Sequence, residues 1–129
     1  MVFEFQENVG GKVRKSYYLT YGTDLSKGDV AKLLESQVGL DFEERDSQYF
    51  GVYFQYVGLY ADKLTIGDNF VESLGGWLDE KNKCKTLINV QINFGKNSDK
   101  LGKYKYIKSG FDGDKSFFVI KDECIEEGS

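Results

Sequence analysis

Four carboxylates fall within six residues, at Asp41, Glu43, Glu44 and Asp46, and Tyr49, Tyr53 and Tyr56 follow directly. Carboxylates so placed, with no histidine in the chain to turn them to proton transfer, attract cations. Tyrosine beside them offers a large, amphipathic contact surface of the kind that dominates binding hot spots. The chemistry this pattern suggests is recognition of a basic protein surface, with Asp41, Glu43, Glu44 and Asp46 meeting Lys or Arg and Tyr49 and Tyr53 filling pockets.

Other residue sets point to less. Without histidine, the Ser–His and Cys–His nucleophile pairs and the common zinc sites are unavailable. Only Arg14 and Arg45 provide guanidinium groups, which is sparse for phosphoryl transfer. Asp112-Gly113-Asp114 lacks the further oxygens of a calcium loop and reads as a hairpin turn, so no metal is expected. Gly10-Gly11 and Gly75-Gly76 are isolated pairs that open no nucleotide-binding helix, so no cofactor is expected. Cys84 and Cys124 form no CxxC and read as reduced, buried structural thiols. Trp77 reads as a core residue.

Charge is sorted along the chain. Residues 22–80 hold twelve Asp/Glu against four Lys/Arg, and residues 81–121 hold ten Lys against three Asp. The last eight residues are acidic again, and the total is −4. The basic part centres on Lys103-Tyr104-Lys105-Tyr106-Ile107-Lys108, which reads as a strand. Its lysines and tyrosines could meet phosphates and bases, but lysine on an edge strand is also an ordinary guard against aggregation. With an acidic chain and little arginine, a nucleic-acid partner is the weaker reading.

The elements that must position these residues follow from periodicity. Val2 to Gln6 and Lys12 to Tyr21 alternate and predict a hairpin. Ser26 caps a predicted helix over 27–38, with Val30, Leu33, Leu34 and Val38 on one face and Gly39 as its stop. Residues 40–48 read as an exposed acidic connection, and Tyr49 to Tyr60 as a central strand. Lys63 to Ile66 predicts a short strand. Phe70, Val71, Leu74, Trp77 and Leu78 predict a second helix capped by Asp68. Cys84 to Phe94, Tyr104 to Ile107 and Ser116 to Ile120 complete the strands, with Gly95 to Gly102 as a loop, and 122–129 reads as a frayed tail. The expectation is one α+β domain over residues 1–129: a mostly antiparallel twisted sheet of six to seven strands packed with two helices, in the order ββαββαβββ. The N-terminal stretch has no apolar core of a signal peptide and no segment is a membrane span, which predicts a cytoplasmic protein with no membrane partner.

In size, charge and composition the whole chain resembles the bacterial immunity proteins that neutralise nuclease toxins, including those of contact-dependent growth inhibition. No residue motif carries the resemblance, and it transfers no site residue. It implies a small non-enzymatic protein that blocks a basic cleft on a toxin domain. A phage inhibitor that mimics nucleic acid shares the same signature. The alternatives are a ligand-binding domain or carboxylate/tyrosine enzyme lined by the strand at 49–60, and a nucleic-acid module built on the lysine-rich segment.

Overall fold

A computed structural model describes residues 13–128; the hairpin partner expected at Val2 to Gln6 lies outside them. The chain runs β1 (Val13–Thr23), α1 (Lys27–Gln37), β2 (Glu43–Ser47), β3 (Gly51–Tyr56), β4 (Lys63–Asp68), β5 (Phe70–Val71), β6 (Gly76–Trp77), β7 (Thr86–Ile92), α2 (Asn97–Asp112) and β8 (Phe117–Gly128). Six strands form one antiparallel sheet in the order β2-β3-β4-β7-β1-β8, and β5 and β6 pair separately. The α+β class, the antiparallel sheet and the two helices agree with the expectation.

One face of the sheet is apolar and the other polar, as strand alternation requires. The register aligns Phe54, Ile66, Ile88 and Tyr21 across four strands on the first face. Tyr56, Leu64, Val90 and Leu19 form the next row. Both helices lie on this face and bury Val30, Ala31 and Leu34 from α1 and Ile107 and Phe111 from α2. The opposite face carries Gln55, Thr65, Asn89, Thr20 and Lys121 in one row, with no element of the described residues packed over its middle.

Helix α1 forms as its sequence predicts. Ser26 Oγ accepts from the Asp29 N–H at 3.1 Å, and Gly39 at φ 77° turns the chain out of the helix. Helix α2 corrects three expectations together. The strand expected at Tyr104 to Ile107, residues 97–102 of the loop expected at Gly95 to Gly102, and residues 110–112 of the turn expected at Gly110 to Asp114 are all helical, with Gly113 as the C-cap. Lys and Tyr alternate there, but Lys100, Tyr104, Ile107 and Phe111 are also spaced as one helical face, and packing onto the sheet selects that period. Tyr104 stacks on Tyr17 at 4.7 Å, and Phe111 on Tyr21 at 4.2 Å. Asn97 pins the first turn by accepting from Lys15 N–H and donating to Val13 O. Gly110 allows the last turns to approach α1: a Cβ there would lie 2.9 Å from Val38 Cγ2.

The tail expected to fray is instead the second half of β8, paired with β1 from Val13–Gly128 through Leu19–Asp122. The pairing sets Glu126 opposite Lys15 and Glu127 opposite Arg14, an arrangement of opposite charges that favours this ladder. Asp122 accepts from Tyr104 OH at 2.8 Å and pairs with Lys108 at 3.0 Å, tying β8 to α2. That hydrogen-bonded pair holds the Lys108 ammonium above the ordinary lysine range.

Tyr21 lies beneath α2 with its hydroxyl buried and unpaired among the described residues. Burial, followed by the nearby Asp112 charge, pushes its pKa from 10.0 up to about 12. The neutral form is therefore favoured by folding, so Tyr21 contributes fully below pH 10.0 and the contribution is lost as pH rises through about 12. Tyr21→Phe is expected to leave stability at pH 7 unchanged or raise it by up to about 1 kcal/mol, because it removes an unsatisfied hydroxyl. Its advantage over the parent should widen between pH 10 and 12 by up to about 1.4 kcal/mol per pH unit. Urea midpoints across that range check this; a constant difference would contradict the buried neutral phenol.

Candidate functional site

The acidic connection expected at 40–48 is a correction as well: residues 43–47 are strand β2, at the edge of the sheet. Asp41 precedes it, and Asp41, Glu43, Glu44 and Asp46 are all exposed. The strand's pleat divides them. Glu43 and Arg45 stand opposite Gln55 and Tyr53 and share the uncovered sheet face, whereas Glu44 and Asp46 stand opposite Phe54 and Val52 and share the helix side. Glu43 Oε1 meets an Arg45 guanidinium nitrogen at 3.1 Å, so Glu44, Asp46 and Asp41 carry the negative charge of this edge.

The β2–β3 turn presents its aromatics outward. Ser47 Oγ accepts from the N–H groups of both Tyr49 and Phe50, at 3.1 and 3.2 Å, which fixes the turn. Gly51 leaves it at φ 75°, a conformation that favours glycine. Tyr49 is 61% exposed and Phe50 also stands out into solvent. Tyr53 is half-buried and lines a cavity of about 280 Å³ on the uncovered face, together with Phe50, Lys63, Thr65 and Leu78. The central strand expected over 49–60 is shorter, Gly51–Tyr56, and Tyr56 is its one buried residue.

Beside this turn lies the element that the sequence reading mistook. Residues 68–78 form no α-helix. Phe70–Val71 pairs with Gly76–Trp77 around a 3-10 turn at Glu72–Leu74, and Gly75 closes that turn at φ 66°. The reason sits at Asn69, which is fully buried. Its Nδ2 donates to the carbonyls of Asp79, Asn82 and Cys84, and its Oδ1 accepts from the Asp79 N–H at 2.8 Å. Those bonds hold residues 79–84 against the start of the arm and preclude a straight helix. Of the apolar stripe, Val71 is buried, but Phe70, Leu74 and Leu78 are exposed; Trp77, expected in the core, packs edge-on against Phe70 at 5.2 Å.

One bond fixes the arm to the hairpin, and a second contact ties α1 to the strands at the arm's base. Ser73 Oγ donates to Tyr49 O at 2.7 Å. Lys27 Nζ, from the start of α1, donates to Val52 O and to Asp68 Oδ2, both at 2.7 Å. Between hairpin and arm opens a cleft of about 670 Å³, lined by Phe50, Gly51, Asp68, Phe70, Val71, Glu72 and Ser73. The structure thus brings the hairpin turn with Tyr49 and Phe50 against Phe70, Glu72 and Ser73, three residues from the segment expected to be a second helix. The Gly75-Gly76 pair was the available signal, since two adjacent glycines fit a tight turn better than a helix interior.

On α2 the lysines do not form a row of free cations. On α2, Lys100 is buried, and burial pushes its ammonium pKa down; Lys108 is engaged by Asp112 and Asp122. Lys105 is exposed and Lys103 half-buried. Cys84 is buried as expected; Cys124 is instead exposed, because the tail it lies on is an outer strand. No group of three metal-ligating side chains occurs among the described residues, and no helix there is long and apolar enough to cross a membrane. Compared with known proteins, the chain matches no family model and no curated protein.

The position of the arm depends on Asn69. Asn69→Ala leaves three carbonyls and one N–H without their partner, and is expected to cost at least about 2 kcal/mol. Hydrogen exchange should accelerate at the amides of residues 79–85 well beyond the global change. Protection retained at those amides would show that something other than Asn69 anchors the arm.

Proposed function

We propose that this protein is a non-enzymatic inhibitor that occludes a basic surface of another protein, in the manner of an immunity protein neutralising a bacterial nuclease-type toxin. One observation carries the reading: an exposed acidic edge strand ends in an exposed aromatic turn. Asp41 precedes β2, Glu44 and Asp46 lie along it, and Tyr49 and Phe50 follow its end. Charge along the edge accelerates encounter with a cationic surface, and aromatics desolvated at the centre of an interface supply most of its binding energy. Tyr53 extends the contact surface onto the uncovered sheet face, while Glu43 is partly neutralised by Arg45.

The lysine arrangement on α2 favours this reading over nucleic-acid binding. Phosphate tracking needs a row of free cations, and on α2 one lysine is buried and another is paired within the fold.

The test is co-expression with the protein encoded by the gene immediately upstream. The expected result is restored growth and a pair that co-purifies, with an association rate that falls as salt rises. Replacing Asp41, Glu43, Glu44 and Asp46 together by Asn or Ser should slow association roughly tenfold at low salt. Failure to protect and to co-purify overturns the function. Protection with unchanged affinity and salt dependence in the quadruple variant overturns the choice of surface.

A further inference from the structure

We infer that the cleft between the β2–β3 turn and the β5–β6 arm is a receptor for an arginine side chain presented by the basic partner. The inference rests on the occlusion reading above and names its central anchor.

The cleft combines three features that a guanidinium recognises. Its aromatic groups come from both sides: Phe50 from the hairpin and Phe70 from the arm. Arginine stacks on aromatic faces and is less strongly hydrated than lysine, so it tolerates a partly apolar wall. Its carboxylates are Asp68 and Glu72. Glu72 makes no ion pair among the described residues and is exposed. Asp68 is held in place through Oδ2 by Lys27, and its Oδ1 accepts no hydrogen bond among the described residues. A planar fork of five N–H donors can therefore engage Glu72 in a bidentate pair and still reach a second acceptor.

None of the residues lining the cleft is Lys or Arg; Lys27 takes Asp68 Oδ2 and partly neutralises it, so the Glu72 carboxylate and Asp68 Oδ1 are the acceptors left to a guest. The cleft is also held open by the fold. Ser73 bonds to Tyr49 O, Lys27 ties α1 to β3 and β4, and Asn69 anchors the arm. A receptor held in shape before binding loses less conformational freedom when it is occupied. Charge complementarity thus selects a cation, and the aromatic walls select arginine over lysine.

The test is a titration of the isotope-labelled full chain with N-acetyl-arginine amide, followed by amide chemical shifts. N-acetyl-lysine amide and the neutral isostere N-acetyl-citrulline amide serve as controls. Saturable shifts are expected at residues 50–51 and 70–73, weaker with the lysine compound and absent with the citrulline compound. Glu72→Gln should weaken the arginine response at least threefold, and Phe70→Ala should bring the arginine and lysine responses together. Both side chains are exposed, so neither change threatens folding. Shifts that are absent, equal with citrulline, or spread evenly over residues 41–46 and 122–127 overturn the receptor. Equal responses to arginine and lysine in the parent overturn the choice of arginine. None of these results touches the occlusion reading, which stands or falls on protection by the co-expressed protein.

Discussion

Everything in this molecule depends on a sheet whose main core lies on one face; among the described residues the other face buries little beyond Leu87. Six antiparallel strands present Leu19, Tyr21, Leu64, Ile66, Ile88 and Val90 to one side, and two helices are enough to cover them. Burial of that face provides the main driving force, because each large side chain removed from water contributes roughly 1.5–3 kcal/mol. Having both helices on one side leaves the other face of the sheet, the edge strand β2 and the ends of the strands free to carry charge and aromatic groups. The core and the candidate site are therefore separate, and residues in the site are exposed without weakening the fold.

The sequence's division into acidic and basic halves does not survive as two faces. Strand β7, from the second half, lies between β4 and β1 from the first, and the acidic tail lies beside β1 as β8. The basic helix α2 packs on the same face as α1, and its Lys108 is spent on Asp112 and Asp122. Both edge strands, β2 and β8, keep exposed acids, and on β2 these lie next to the aromatic turn. Local clustering in sequence outlasted global sorting because four acids within six residues, three of them on one edge strand, stay near one another whatever the topology, whereas halves of a chain interleave.

Legibility followed the range of the interactions involved. Helix α1 was readable because its cap, stripe and stop are all within fourteen residues of one another. The sheet class and strands β1, β4 and β7 were readable because alternation is local. Residues 68–78 and 96–112 differ from the sequence expectation for one common reason: the partners that decide each are far away in the chain. Phe70, Val71, Leu74, Trp77 and Leu78 suit a helix, but buried Asn69 bonds to backbone ten to fifteen residues away and imposes an arm. Lys103 to Lys108 alternates like a strand, but stacking on Tyr17 and Tyr21 makes it a helix. The acidic and tyrosine residues of the candidate site were named from sequence. Their aromatic neighbours across the cleft were not, because the apolar residues of the arm looked like core.

The sequence by itself determined the fold class, the first helix, the apolar rows of the sheet and the acidic cluster, since each rests on residues close together in the chain. Only the tertiary structure decided which apolar residues stay outside, which lysines are consumed, and that an acidic tail becomes a strand. Those outcomes depend on partners far apart in sequence: Asn69 with Cys84, Tyr49 with Ser73, Lys15 with Glu126. A residue's surroundings are set by whatever the folded chain brings to it, and the same Phe or Lys is core, cleft wall or surface according to that arrangement.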